Sequence, residues 1–261
     1  MSKYKDLVYK KNVAIVGPAK YMLGSRLGKE IDDHDVVVRI NRSVETTKLY
    51  PEDIGYQTDI LYSCLIETYQ NAGKTSPQDL HDIYGVRHVV APPFSNFSGI
   101  SHSTKLHHMV NRHTVKEIER LMSFRIVPHD LHTKLAIKVN SRPNTGFLAI
   151  YDLLSFSPTK LSIYGFSFYL DGFIPGCKSG IEKEKNISED GFADLAFNSK
   201  RHVQKNMWSH AKQTLLGNPT VNLDPVLQKI LNLEKLDKDM FKEMIKDENF
   251  YSNKGKFAEG S

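Results

Sequence analysis

Residues 12–41 read NVAIVGPAKYMLGSRLGKEIDDHDVVVRIN, and their glycines raise the first chemical question. A turn between an apolar strand and a short helix leaves backbone N–H groups free at a helix end, a ready seat for a phosphate. Gly17, followed by the backbone of Ala19 and Lys20, is the candidate cradle, although Pro18 between them carries no N–H to donate. Gly17, Gly24 and Gly28 are not in the GxGxxG spacing that seats a pyrophosphate, and no GKS or GKT follows in this turn to make a Walker A loop. The second apolar run ends in Arg39 and Asn41, donors and an amide, where a dinucleotide ribose needs a carboxylate. NAD and ATP are therefore disfavoured. A SAM-dependent methyltransferase wants an acidic residue at the same place and ranks low for the same reason.

Two other groups of residues invite chemistry. Asp33-His34-Asp35 has the form of an Asp-x-Asp metal clamp, but it lies between a helix end and a strand start, the edge of a parallel sheet where ligands do not bind. A polar turn is the expectation, and no metal. The histidines are numerous; His202, in KRHVQKNMW, opens a predicted helix, and His210, in WSHAK, is its rival. A histidine titrates near neutrality and suits proton transfer. Cys64 and Cys177 are far apart and form no CxxC, so reduced thiols of a cytoplasmic protein are expected.

The elements that must position these residues follow a regular rhythm. Apolar runs at 13–17, 35–41, 58–63, 86–93, 124–128 and 160–166 have the character of buried strands, and helical patterns lie near 24–32, 104–122, 130–138 and 146–156. This alternation predicts an α/β domain with a mostly parallel twisted sheet flanked by helices. Residues 171–195 are rich in glycine and charge and show no period, which predicts a mobile loop. Beyond it, 197–214 and 223–247 read as helical. An apolar stripe of Leu227, Ile230, Leu231, Leu236, Met240, Met244 and Ile245 is expected to pack on the core, with a peripheral membrane contact as the alternative. The organisation expected is a domain over 1–222, a C-terminal helical extension over 223–250 packed on it, and a disordered tail over 251–261.

Bulk properties set outer limits. The 261 residues are 40 % apolar and 25 % charged, ordinary for a globular protein with a sizeable core. The net charge of +5 is mild and its basic residues are scattered along the sequence, which favours an anionic ligand over nucleic acid. No apolar run is long enough to cross a membrane, and none follows the charged N-terminus as a secretion signal would.

Two blocks carry a resemblance. VAIVG, GSRLGKEIDDHDVVVRIN and DIGYQTD, over residues 13–59, resemble the large sialyl motif of the animal-type sialyltransferase family. RPNTGFLAIYDLLSFSPTKLSIYGFSF, over 142–168, resembles its small motif. The order and the spacing of about 100 residues are also similar, so the resemblance covers most of the chain from 12 to about 210.

The resemblance implies a single Rossmann-like domain, a GT-A-like variant, that transfers a sugar from its CMP ester with inversion and without metal or other cofactor. Sialic acid and Kdo, both 2-keto sugar acids, travel as CMP esters, and the motifs do not separate them. The implied acceptor is a glycan, such as a bacterial lipooligosaccharide or capsule.

By position in the motifs, Asn41 contacts the nucleotide and Asn144, Thr145 and Gly146 bind CMP. A helix cap at Asn144 or Thr145 and a bare glycine backbone suit that work. The family base is a histidine in His-x4-Glu; His202 is the match, but Met207 stands where the glutamate belongs. The family's second histidine, which helps the phosphate depart, has no counterpart, leaving Tyr169, Lys200, Arg201 or a helix terminus. The two family cysteines that tie the motifs are also missing. These departures keep open a catalytically inactive CMP-binding protein.

Overall fold

The computed structural model describes residues 2–65, 75–93, 112–177 and 194–246. Most of the loop expected over 171–195, the first part of the helix expected over 104–122 and the tail over 251–261 lie outside these residues.

Seven strands form one sheet: β1 (Asn12–Val16), β2 (Val36–Ile40), β3 (Ile60–Tyr62), β4 (His88–Ala91), β5 (Ser123–Ile126), β6 (Lys160–Tyr164) and β7 (Val221–Leu223). Their order is β5-β4-β3-β2-β1-β6-β7, and every neighbouring pair is parallel. A parallel sheet covered on both faces needs continuous apolar strands, and the central ones comply: every residue of β2 is buried, as are Val13 to Val16 of β1. Ile15 lies opposite Val38 on one side and Ile163 on the other. The six strands expected from the sequence are present. β7 was not among them, because three residues at an edge leave too short a pattern.

The helices are α1 (Ser2–Val8), α2 (Gly28–Asp32), α3 (Pro51–Ile54), α4 (Pro77–Asp82), α5 (Arg112–Leu121), α6 (His129–Lys138), α7 (Thr145–Leu154), α8 (Gln204–Leu215), α9 (Pro225–Asn232) and α10 (Lys238–Lys246). Three expectations shift. The helix near 24–32 is only α2, because Gly24 takes a left-handed φ of 77° and breaks the turn before it. The helix expected from 197 is not continuous to 214: α8 begins at Gln204, after Val203 in extended conformation. The stretch 223–247 divides into α9 and α10. Val226, Leu227, Ile230 and Leu231 of α9 and Phe241 of α10 are buried in the same core as β1 and β6.

α7 is fixed by a buried charge. Asp152, wholly buried, accepts from Arg125 Nη2 of β5 and from the Tyr62 hydroxyl of β3 (2.5 Å). Tyr4 of α1 sits 2.6 Å from that hydroxyl, and the Arg125 guanidinium lies 3.8 Å over the Tyr4 ring. Burial pushes the Asp152 carboxyl up, and Arg125 and Tyr62 oppose that rise. Replacing the acid leaves a guanidinium only 13 % exposed without its partner. Asp152→Ala should therefore cost about 3–5 kcal/mol in denaturant titrations; a loss below about 1 kcal/mol would show that the pair does not anchor α7.

Candidate active site

β1 and β6 are neighbours, but the chain runs from β1 outward through β2 to β5 before returning to β6. The strand order reverses between them, and open parallel sheets bind ligands outside the carboxyl ends of the strands at such a point. A glycine follows each strand, Gly17 after β1 and Gly165 after β6. A Cβ on Gly17 would stand 2.4 Å from the Gly165 carbonyl oxygen, and one on Gly165, at φ +72°, would stand 2.5 Å from that of Gly17. Only bare backbone lets the two strand ends touch.

The turn after β1 is then stitched to the loop after β6. The N–H groups of Ala19 and Lys20 donate to Gly165 and Gly172 carbonyls (3.1 and 2.9 Å), and Tyr21 N–H donates to Asp171 (2.5 Å). Asp224, the cap of α9, accepts from Gly165 N–H (2.9 Å) and the Tyr21 hydroxyl (2.7 Å). Gly17 and Lys20 do not line the cavity, the N–H groups of Ala19 and Lys20 are committed to the protein, and Ala19 contributes only apolar wall.

A cavity of about 540 Å³ opens beyond these strand ends. Ala19, Asn41, Asn144, Thr145, Gly146, Tyr169 and His202, scattered over the sequence, all line it. Asn41 follows β2 at φ 49°, and its Oδ1 accepts Cys64 N–H (3.0 Å), so the amide turns its Nδ2 donor to other work. Asn144 caps α7 by accepting Phe147 N–H (2.8 Å). Thr145 Oγ1 meets Cys64 Sγ at 2.8 Å. Gly146 is small for a packing reason: a Cβ there would lie 2.7 Å from the Phe166 ring. Tyr169, also at positive φ, has its hydroxyl pushed up to about 12, first by burial, and remains a neutral donor.

His202 has its tautomer set. Nδ1 lies 2.8 Å from the Arg142 carbonyl and must donate to it, which leaves Nε2 as the acceptor. Ser199 Oγ receives His202 N–H (3.3 Å), and Gln204 Nε2 donates to its carbonyl (2.8 Å). Burial lowers its pKa to about 4; the bond to Arg142 raises it, and the Arg201 and Arg142 cations lower it further. The ring is neutral at physiological pH. The position expected to hold an orienting glutamate is Met207, which is fully buried, and the Arg142 carbonyl does the orienting instead.

Arg142 and Arg201 both line the cavity, and Arg142 N–H donates to the Arg201 carbonyl (3.2 Å). Neither guanidinium has a carboxylate partner among the described residues. Burial, then Arg201, lowers the Arg142 pKa. Sequence reading did not place Arg142, Cys64 or Phe166 at the site; an arginine two residues ahead of a helix cap, in a stretch without acids, was the available signal for the first. Lys200 is exposed and outside the lining, and His210 packs instead against Tyr151, 5.2 Å between rings. Arg39 is buried and donates to Gln57, Thr58 and Ile54, not to the cavity. Asp35 binds Asn12 N–H at the amino end of the sheet, away from the cavity.

The switch point of this parallel α/β sheet opens on a cavity lined by His202, Arg142 and Arg201. The sequence profile of glycosyltransferase family 29 (sialyltransferase) matches residues 9–171, and the chain belongs to that family of glycosyltransferases. The fold is similar to that of a mammalian sialyltransferase, with 16 % identity and TM-score 0.52 over 82 % of this chain and 68 % of that one. It is also similar to a variant of the sialyltransferase CstII of Campylobacter jejuni in complex with CMP, with 14 % identity and TM-score 0.51 over 83 % and 87 % of the chains. A search of curated protein sequences finds no matching relative.

The lowered His202 pKa links the site to stability. The folded imidazole resists protonation down to about pH 4, whereas the unfolded one binds a proton from 6.5 downward, so stability should be full above pH 6.5 and fall as pH drops toward 4. His202→Gln should flatten this fall in urea midpoints measured from pH 7 to 4.5. Equal slopes in both proteins would contradict the shifted histidine.

Proposed function

We propose that the protein transfers a 2-keto sugar acid, sialic acid in the first place, from its CMP ester to a glycan hydroxyl, with inversion and His202 as base. The observation that carries this reading is the bond from His202 Nδ1–H to the Arg142 carbonyl, which aims an unprotonated Nε2 while two guanidinium groups flank it.

In this reading the nucleotide sits across the strand ends, with Asn41 Nδ2 donating to it and the amino end of α7, opened by Asn144 and Thr145, receiving CMP. Arg142, Arg201 and the Tyr169 hydroxyl face the phosphate and the sugar carboxylate. As the acceptor oxygen attacks the anomeric carbon from the face opposite the phosphate, the acceptor proton passes to Nε2. The bond from the anomeric carbon to the phosphate oxygen breaks with its electron pair, and CMP departs. Fixed cations aimed at the growing phosphate charge lower the barrier. A monophosphate leaving group asks for less neutralisation than a diphosphate, so the guanidinium pair supports transfer without a metal.

Among the described residues no helix is long and apolar enough to cross a membrane. A lipooligosaccharide or capsular glycan remains the proposed acceptor.

CMP release should be measured with CMP-sialic acid and with CMP-Kdo, each in EDTA. Release from CMP-sialic acid is expected to survive EDTA and to fall about 10²–10⁴-fold in kcat for His202→Ala. The profile of kcat/KM should stay flat on the acid side down to about pH 4, and that of kcat should break at higher pH, because the anionic donor favours the imidazolium. Asn41→Ala should weaken CMP binding about tenfold. Release from CMP-Kdo alone would change the donor and keep the mechanism. CMP binding with no release from either donor would favour the inactive reading, for which Met207 in place of a carboxylate is the supporting observation.

A further inference from the structure

The sequence scatters its cations, but the fold gathers some of them. Residues 131–151 and 195–223 contain no aspartate or glutamate. These two stretches meet where the carboxyl end of α6 abuts the amino end of α8: Asn206 Nδ2 donates to the Val139 carbonyl (2.8 Å) and Arg142 N–H to that of Arg201. Lys134, Lys138, Lys200, Arg201 and Lys205 are all exposed on this side. Of these, Lys134 pairs with Asp130 (3.5 Å), and the other four have no acidic partner among the described residues. Amid them stands Ile137, 73 % exposed on the outer face of α6, and Leu195, 59 % exposed, stands at the cavity rim.

We infer that this surface docks on an anionic lipid bilayer, with the lysines against the headgroups and Ile137 inserted between them. Charge complementarity names the partner: lysines near a negatively charged leaflet are attracted within a Debye length, and each contributes roughly a fivefold gain in partitioning. The exposed aliphatic side chain separates a bilayer from a soluble polyanion, since it gains nothing from phosphate groups in water but is buried at the boundary of headgroup and acyl chain. The surface borders the mouth of the cavity through Arg201, so docking would hold that mouth near the membrane plane. This inference is independent of which donor the enzyme uses.

The test is co-sedimentation of the full chain with vesicles of phosphatidylcholine alone or with about 30 % phosphatidylglycerol, at low and at about 0.5 M salt. Binding is expected only to the anionic vesicles and should be lost at high salt. Lys138→Glu with Lys205→Glu should reduce it at least about tenfold, and Ile137→Ser by about fivefold. None of these residues lines the cavity, so CMP release with a soluble acceptor should not change in either variant. Equal binding to neutral vesicles, no binding to anionic ones at low salt, or indifference to the lysine substitutions would overturn the inference. So would binding to a single-stranded oligonucleotide that exceeds vesicle binding and ignores Ile137→Ser.

Discussion

Two glycine backbones in contact govern this molecule. β1 and β6 can end side by side only because Gly17 and Gly165 have no Cβ; each would otherwise press on the carbonyl oxygen of the other. From that contact the β1 turn and the β6 loop run on together, joined by backbone hydrogen bonds, and the cavity opens beyond them. Asp224 secures the arrangement from below by taking both the Gly165 N–H and the Tyr21 hydroxyl. Because burial pushes its carboxyl up while four hydrogen bonds hold it down, this acid is coupled to the integrity of the switch point.

The electrostatic character of the site follows from what is absent around it. Arg142 and Arg201 line the cavity with no carboxylate partner among the described residues, and for Arg142, which is half-buried, an arriving anion would offset the cost of its unpaired charge. After burial, their charge lowers the His202 pKa further, so in the proposed reaction a bound anion would raise the basicity of the imidazole. In the proposed reaction the same cations would receive the leaving group and tune the base. The small motif joins these roles in a few residues, since Arg142 offers its guanidinium to the cavity and its carbonyl to the imidazole, and Asn144 two places on caps the helix behind them.

Much of the fold was legible because strands buried on both faces must be continuously apolar, and β1, β2 and β6 are. What escaped notice was short or locally determined: β7 is three residues, and the start of α8 depends on Ser199 Oγ holding the N–H groups of Arg201 and His202 in a turn. For the site, Asn41, Asn144, Thr145, Gly146 and His202 were proposed from motif position and Tyr169 as one alternative for the missing histidine, and all six line one cavity. Gly17 packs against the backbone of Gly165 and is not among the lining residues, and a glycine that lets a ligand approach and one that lets a strand approach look alike in sequence. Arg39 served in the sequence only to exclude a dinucleotide carboxylate, and its place in the interior, donating to the carbonyls of residues 54 and 57 and to the Thr58 hydroxyl, had no sequence signal. The orienting partner of His202 could not be found at all, since a backbone carbonyl has no residue type to betray it.

The most direct measurement is a crystal structure of the protein with CMP. The account predicts cytidine beyond the ends of β1, β2 and β6, with Asn41 Nδ2 within hydrogen-bond distance of the nucleotide, the phosphate against Arg142 and Arg201, and His202 Nε2 open on the side the sugar would occupy. A nucleotide bound elsewhere, or a phosphate held away from both arginines, would contradict it.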